Sequence, residues 1–211
     1  MTKIRTTEAL LLKSYDVGDA DQFCILLTKT DGRVTVIAKG ARKAQSKFGG
    51  AMQSFQHLLV DLAEHSSGFY VRSAQCMNSF DHIRSDLQRF AAASRGAELL
   101  LHCLHDTEPQ ESIFTLAQEF FLECDRGGIE FLFPTFQLAL LKELGLFPSF
   151  AGAPCSSLFH EYVAVRSTLK DRMIMPLPES DRRKLSLLCD ELLREHLSFP
   201  LKASAALNAV S

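Results

Sequence analysis

The sequence lacks any run of about eighteen consecutive apolar residues, which excludes a membrane-spanning helix of ordinary length. Its first eight residues, Met-Thr-Lys-Ile-Arg-Thr-Thr-Glu, lack the apolar segment of a signal peptide. The six cysteines form no CxxC pair, a pattern typical of reduced and mostly buried thiols. We therefore expect a cytoplasmic protein that has no membrane partner.

Motifs that mark common catalytic sites are also missing. The sequence contains no Walker A loop, GxGxxG, GxSxG or HExxH, and no local signature of a cysteine hydrolase surrounds its cysteines. His102 and His105 have the spacing of a metal-chelating pair on a helix, but no carboxylate partner is evident in register, so surface histidines are the favoured interpretation. We expect no enzyme and no cofactor. A cysteine- or metal-dependent enzyme is the rival that metal analysis would test.

One stretch of the chain has no acidic residue. Between Asp31 and Asp61 there is no Asp or Glu but five Lys or Arg, although the net charge of the whole chain is −2. Four of these cations lie with Phe48 and three glycines in residues 39–50, here called the basic loop. Such a loop suits a polyanion, because glycines let the backbone approach, cations meet phosphates and a ring offers a stacking face. A mobile, solvated loop is the alternative.

Charge also divides the chain as a whole. Residues 1–80 hold ten Lys or Arg and seven Asp or Glu, a balance of +3. Residues 81–211 hold thirteen and eighteen, a balance of −5. A basic N-terminal part and an acidic C-terminal part indicate two modules that have different partners.

The first eighty residues alternate between apolar and polar positions as β-strands do. The predicted strands are residues 8–16, 22–30, 33–39, 57–64 and 69–77, with a two-residue hairpin at Asp31-Gly32. Five strands with a long connection after the third predict a five-stranded oligonucleotide-binding (OB) barrel over residues 1–79. An open sheet and an SH3-like barrel are the alternatives that the pattern leaves open.

Apolar residues recur at helical spacing from residue 83 onward. The predicted helices cover residues 83–104, 109–126, 134–144 and 181–197, with a short one over about residues 202–210. Ser85 and Gln88 have the spacing of a capping box, and Gly96 inside the first helix indicates a close packing contact. The predicted fold class is α+β, with a DNA-binding domain at 1–79 and an α-helical domain for protein contacts at 80–211.

Several segments carry a family likeness: Ala9-Leu-Leu-Leu-Lys-Ser-Tyr-Asp16, Ala38-Lys-Gly-Ala-Arg-Lys43, Ser46-Lys-Phe-Gly-Gly-Ala-Met-Gln53, Leu87-Gln-Arg-Phe-Ala-Ala-Ala93 with Glu98-Leu-Leu, Leu140-Leu-Lys-Glu-Leu-Gly145 with Pro148, and His196-Leu with Leu201-Lys-Ala-Ser. These segments resemble the bacterial RecO family, and the basic loop is the most specific of them. The resemblance implies a recombination mediator with an N-terminal OB barrel. It also implies binding to single- and double-stranded DNA, annealing of strands coated with single-stranded-DNA-binding protein, and RecA loading together with RecR.

The chain departs from the family pattern where many members carry a four-cysteine zinc site. In this region only Cys155 and His160 are possible ligands, and no second pair appears before Cys189. Structural zinc needs four ligands in close spacing. We therefore expect no metal in the degenerate motif near residues 150–176.

The predicted DNA-binding residues are seven cations and one aromatic residue. Four cations of the basic loop would neutralise phosphates, and three others would extend the path across the barrel. The first four are Lys39, Arg42, Lys43 and Lys47, and the other three are Lys13, Arg33 and Arg72. Phe48, Tyr15 and Tyr70 are candidates for stacking on bases, with core packing as an equal alternative for each. The rival function is an adaptor whose barrel binds a protein partner.

Overall fold

The computed structural model describes residues 4–66, 68–127, 129, 132–146 and 187. Five strands come first: β1 Ile4–Val17, β2 Asp21–Thr28, β3 Gly32–Ala38, β4 His57–His65 and β5 Gly68–Asn78. Helices follow: α1 Asp81–Ser85, α2 Leu87–Cys103, α3 Glu111–Arg126 and α4 Leu132–Glu143. Two compact units divide the chain, one of Met1–Arg84 with Cys103–Phe114 and the other of Ser85–His102 with Thr115–Ser211.

The five strands close into a barrel in the order β1-β2-β3-β5-β4. Neighbouring strands are antiparallel except β3 and β5, which pair in parallel. The long strand β1 pairs with β4 over Ile4–Leu10 and with β2 over Ala9–Val17, and a register shift between Leu11 and Lys13 interrupts the second ladder. Closure leaves no long unpaired sheet edge. This confirms the predicted five-stranded closed barrel followed by helices, and it excludes the open sheet.

The barrel core consists of the inward side chains of the strands and part of the β3–β4 connection. Strand residues of the core are Ala9, Leu11, Cys24, Leu26, Val34, Val36, Ala38, Leu58, Val60, Leu62 and Val71. Phe48, Ala51 and Met52 of the connection join the same cluster. Burying one side chain of the size of Phe48 or Met52 contributes about 1.5–3 kcal/mol. The basic loop is therefore anchored to the barrel at its C-terminal end, which corrects the interpretation as a wholly solvated loop.

The turn between β2 and β3 differs from the predicted two-residue hairpin. Thr28 and Gly32 are paired, so the connection contains three residues, Lys29–Asp31. Gly32 has a φ of 67° and takes the left-handed position that follows such a turn. The Thr28 hydroxyl accepts the Asp31 N–H at 3.0 Å and donates to the Gly32 carbonyl at 2.8 Å. These side-chain bonds stabilise the longer turn.

The segment Cys103–Phe114 belongs to the barrel unit. A parallel bridge joins Arg33 to Asp106, and the Thr107 N–H donates to the Arg33 carbonyl at 2.9 Å. The Arg33 guanidinium Nε also donates to the Asp106 carboxylate at 2.7 Å. The start of β3 therefore holds this segment through both backbone and side-chain contacts.

The first predicted helix is two helices in the structure. Asp86 separates α1 from α2, and its Oδ1 accepts the N–H groups of Gln88 at 2.9 Å and Arg89 at 3.0 Å. Asp86 is thus the N-cap of α2. The predicted capping box of Ser85 and Gln88 is wrong, because the carboxylate one residue later satisfies the free N–H groups.

Helix α4 is buried at nearly every position, as its apolar composition predicts. The stop signals are confirmed as well, since Gly127 after α3 and Gly145 after α4 have φ values of 100° and 68°. Pro134 lies in the first turn of α4, as predicted. The helices expected over residues 181–197 and 202–210 lie outside the described residues, apart from Leu187.

Gly96 lies where α2 meets α3. A Cβ atom on Gly96 would be 2.1 Å from Cε1 of Phe120, whose side chain is fully buried. We expect Gly96→Ala to lower the free energy of unfolding by about 1–2 kcal/mol, because overpacking outweighs a helix-propensity gain of about 1 kcal/mol. Denaturant unfolding measures this change. The double variant with Phe120→Leu should recover part of the loss, and a double variant no more stable than Gly96→Ala would contradict the explanation.

Candidate nucleic-acid interface

Both ends of the basic loop are fixed to the barrel. At its start, the Gly40 N–H donates to Oδ1 of Asp21 at 2.8 Å, and the Arg42 N–H donates to the Ala20 carbonyl at 3.0 Å. Towards its end, Nζ of Lys47 donates to the Arg72 carbonyl of β5 at 2.8 Å. These bonds hold the loop between the β1–β2 turn and strand β5, and they restrict where its cations can lie.

A cavity of about 530 Å³ opens beside the basic loop and the β4–β5 hairpin. Its lining residues are Lys39, Lys47, Ala63, His65, Ser66, Tyr70, Val71 and Arg72. The lining holds three Lys or Arg side chains and one histidine but no Asp or Glu. The volume is in the range of small-molecule sites. The cavity is therefore a positively charged recess with one aromatic ring in its wall.

Tyr70 is the aromatic residue of this recess. Its ring has Nζ of Lys39 at 4.9 Å from the centroid, within the usual cation–π range. The His65 ring meets it edge-on at 5.3 Å with an interplanar angle of 86°. The side chain is partly buried, and these two contacts restrict the position of its ring. An ammonium and a ring side by side offer contacts to a phosphate and to a base.

The predicted cations of the loop are not equivalent. Lys39 and Lys43 are exposed, and the ammonium group of Lys43 has no hydrogen bond or ion pair among the described residues. Arg42 is bound to the β1–β2 turn, with Nε 3.3 Å from Oδ2 of Asp16 and Nη1 donating to the Gly18 carbonyl at 3.1 Å. Lys39 and Lys43 are thus the loop cations that a phosphate can approach most directly.

The three cations predicted outside the loop separate into two groups. Arg72 lines the recess, and Lys13 lies on the outer face of β1 with Nζ 5.0 Å from the Tyr15 ring centroid. Arg33 lies at the opposite end of β3 from Lys39, six residues away, which is roughly 20 Å at a strand rise of about 3.3 Å. It is bonded to Asp106 there. Arg33 is therefore held away from the recess by its ion pair, and its predicted DNA contact stays a prediction.

The prediction of a stacking face at Phe48 is wrong. The side chain is 3% exposed and packs in the barrel core. A base cannot reach its ring in this position. Spacing and composition could not reveal this, because the period-two pattern that marks inward residues stops at the end of a strand. Tyr15 and Tyr70, the other stacking candidates, keep exposed or partly exposed rings.

His65 and Ser66 were not predicted as site residues. They lie at the β4–β5 hairpin, which the parallel pairing of Ile37 with Tyr70 brings next to the end of β3. Parallel pairing of two strands this far apart in sequence leaves no local signal. A hairpin with Gly68 after two serines was the available hint that the chain turns there.

The acidic side chains near the recess already have partners. Hydrogen bonds from the hydroxyls of Ser73 at 2.5 Å and Thr6 at 2.6 Å lower the pKa of Asp61, and the charge of Arg72 lowers it further. Glu64 accepts a hydrogen bond from Arg5 at 2.8 Å. Both carboxylates thus have hydrogen-bond partners, and neither lines the recess, which keeps an excess of positive charge.

Three of the four cysteines in the described part of the chain are buried, and the fourth, Cys76, is exposed. Within that part of the chain, no group of three or more His, Cys, Asp or Glu side chains is placed to hold a metal. Contrary to the sequence interpretation, His102 does have a carboxylate in register, since Glu98 lies 4.0 Å away. Burial raises the pKa of Cys24 and of Cys103 to about 12 each, which keeps both thiols protonated. The degenerate zinc-motif region near 150–176 lies outside the described residues.

Comparisons with known proteins agree on one family. The family described as "Recombination protein O N terminal" matches residues 1–80, and the one described as "Recombination protein O C terminal" matches residues 84–156. A DNA repair protein RecO from Myxococcus xanthus is 30% identical over 93% of this chain and 93% of that protein. Proteins of the same name from Roseiflexus sp. and Symbiobacterium thermophilum are 29% and 32% identical. These matches cover 97% and 68% of this chain, and 74% and 58% of the respective relatives.

Proposed function

This chain belongs to the RecO family of DNA repair proteins, and from that premise we propose that it is a non-enzymatic recombination mediator. In this role it binds single- and double-stranded DNA and anneals single strands. It also assists RecA loading together with RecR, on DNA coated with single-stranded-DNA-binding protein.

The observation that carries the proposal is the cation cluster, defined as Lys39, Lys43, Lys47 and Arg72. Three of its members line a recess that contains no carboxylate, and the fourth is exposed on the same loop. Cations in such a cluster neutralise phosphates whatever the base sequence. A mediator that must accept any broken end needs this kind of binding.

Annealing follows from the same charges. Two complementary strands repel each other through their phosphates, and a surface that neutralises part of both backbones lowers this repulsion. No covalent bond is made or broken in the step, so no nucleophile or general base is required. The protonated, buried thiols of Cys24 and Cys103 agree with a role that does not involve covalent chemistry.

The helical part of the chain is assigned to protein contacts. The unit of Ser85–His102 with Thr115–Ser211 carries twelve Lys or Arg and fourteen Asp or Glu, a balance of −2, so it has no excess of positive charge for phosphates. RecR and single-stranded-DNA-binding protein are the partners in the proposal. Within the residues that the structure describes, no helix is long and apolar enough to cross a membrane.

An annealing assay tests the mediator role. We expect the protein to accelerate pairing of two complementary oligonucleotides that are coated with single-stranded-DNA-binding protein. The cluster variant, Lys39→Gln with Lys43→Gln and Arg72→Gln, should be roughly tenfold slower or worse because it neutralises fewer phosphates. Lys47 is left intact because its ammonium holds the loop to β5. Fluorescence from labelled strands gives the rate.

A protein that binds DNA but leaves the pairing rate unchanged would contradict the mediator role. The control variant carries Lys29→Gln, Arg126→Gln and Lys142→Gln, which remove three positive charges outside the cluster. It should anneal strands at the wild-type rate. Equal loss in both variants would show that net charge alone drives annealing.

A further inference from the structure

The register of the barrel places four large side chains in one row across its outer face. Tyr15 of β1 pairs with Phe23 of β2, Phe23 pairs with Ile37 of β3, and Ile37 pairs with Tyr70 of β5. We call these four residues the outer row. Tyr15 and Phe23 are 46% and 39% exposed, and Ile37 and Tyr70 are partly exposed. Three aromatic rings thus face outward on four neighbouring strands.

Each end of the outer row carries a lysine. Nζ of Lys13 lies 5.0 Å from the Tyr15 ring centroid, and Nζ of Lys39 lies 4.9 Å from that of Tyr70. Arg72, two residues after Tyr70 on β5, lies on the same face and lines the recess. The pattern is an apolar and aromatic stripe between positive charges. Its complement is a ligand that has flat apolar faces joined by negative charges.

We propose that the outer row is a stacking track for the unpaired bases of one DNA strand, and that it gives the protein a preference for single-stranded over double-stranded DNA. The inference rests on the proposed DNA binding and adds the strand preference. Aromatic rings accept any base, because every base has a π face. Lys13 and Lys39 then neutralise phosphates on either side of the stacked bases.

The spacing of the row explains the preference. Neighbouring strands are about 4.8 Å apart, so Tyr15 and Tyr70 are separated by three gaps, or roughly 14 Å along the sheet. Bases in a duplex are stacked at about 3.4 Å on each other, and their faces are covered by their neighbours. Only a strand whose bases have separated can place them on rings spaced this way. Duplex DNA would therefore meet the cations but not the rings.

A paired leucine variant tests the track. Tyr15→Leu with Phe23→Leu keeps bulk and apolar character but removes two aromatic faces. We expect its affinity for oligothymidine to fall roughly 30-fold, as two lost base–aromatic contacts predict. Duplex affinity and the dependence of log affinity on log salt should stay at wild-type values, because the cations remain. Anisotropy of labelled oligothymidine and of a labelled duplex gives both affinities.

Leu59→Ala is the matched control. Leu59 lies on the outer face of β4 and is 36% exposed, but it is not part of the row. Its replacement should leave both affinities unchanged. Far-ultraviolet circular dichroism and denaturant unfolding establish that each variant is folded.

Tyrosine fluorescence gives a second readout. The chain has no tryptophan and three tyrosines, of which Tyr15 and Tyr70 belong to the row. Stacked bases quench tyrosine emission, so oligothymidine should quench the wild-type protein more strongly than the duplex does. Tyr15→Phe keeps a ring, so it should retain oligothymidine affinity and lose part of the quenching.

The outcomes separate the strand preference from the proposed function. A leucine variant with wild-type affinity for oligothymidine would overturn the stacking track while leaving DNA binding intact. Equal losses for oligothymidine and duplex in the folded variant would overturn the preference. A row that serves a protein partner would give unchanged affinity for both DNAs. A wild-type protein that binds neither DNA would overturn the proposed function itself.

Discussion

Replacing Lys39, Lys43 and Arg72 with glutamine should weaken DNA binding by about 200-fold at about 0.1 M salt while leaving the barrel folded. Each lost phosphate contact reduces the slope of log affinity against log salt by about 0.7–0.9. Three contacts therefore flatten the slope by about 2.1–2.7 units, and each unit corresponds to about one decade in affinity at this salt concentration. Anisotropy titrations over a series of salt concentrations measure the slope for single strands and duplex alike.

The residues chosen for this variant follow from the contacts of the loop. Arg42 is bound to Asp16 and the β1–β2 turn, and Lys47 donates to β5, so their replacement would disturb the loop as well as its charge. The exposed side chains of Lys39, Lys43 and Arg72 should cost little stability when replaced. The three-charge control at Lys29, Arg126 and Lys142 should keep the wild-type slope. An unchanged slope in the cluster variant would favour the adaptor function.

The sequence predicts the barrel well because its strands are half-buried. Alternation places Val34, Val36 and Ala38 inward, and the structure buries all three. A strand that buries one face alternates between apolar and polar residues, so its burial is visible as a period of two in the local sequence. The helix ends at Gly127 and Gly145 were also predictable from the local sequence, because a positive φ favours glycine at the residue that adopts it.

Features that depend on distant pairing were not predictable. The parallel pairing of β3 with β5 brings Tyr70 and His65 to the basic loop, and no local sequence pattern predicts this pairing. The ion pair of Arg33 with Asp106 was unpredictable for the same reason, because the two residues are 73 positions apart in sequence. The prediction for Phe48 was wrong for a different reason. Its glycine-rich surroundings indicate an exposed loop, but its ring is buried in the barrel core. Charge and composition located the candidate site, and tertiary contacts decided which of its residues face outward.

Gly32→Ala is expected to lower the free energy of unfolding by about 3 kcal/mol or more, for two independent reasons. The φ of Gly32 is 67°, a conformation that costs about 1–2 kcal/mol for a residue with a Cβ. That Cβ would also lie 2.2 Å from the carbonyl oxygen of Glu108. The backbone of Glu108 cannot move away easily, because the neighbouring Asp106 and Thr107 are hydrogen-bonded to Arg33. Denaturant unfolding followed by circular dichroism measures the loss.

Gly18→Ala separates the two reasons. Gly18 has a φ of 57° but no atom within 4 Å of its would-be Cβ, so its replacement should cost only the backbone strain of about 1–2 kcal/mol. The difference between the two variants is then the contact of Gly32 with Glu108. Equal losses of unfolding free energy in the two variants would mean that the segment Cys103–Phe114 makes no close contact with the start of β3. Because Gly32 lies at the opposite end of β3 from Lys39, the folded fraction of Gly32→Ala should keep the wild-type salt slope of DNA binding. A flattened slope would instead show that attachment of this segment also positions the cation cluster.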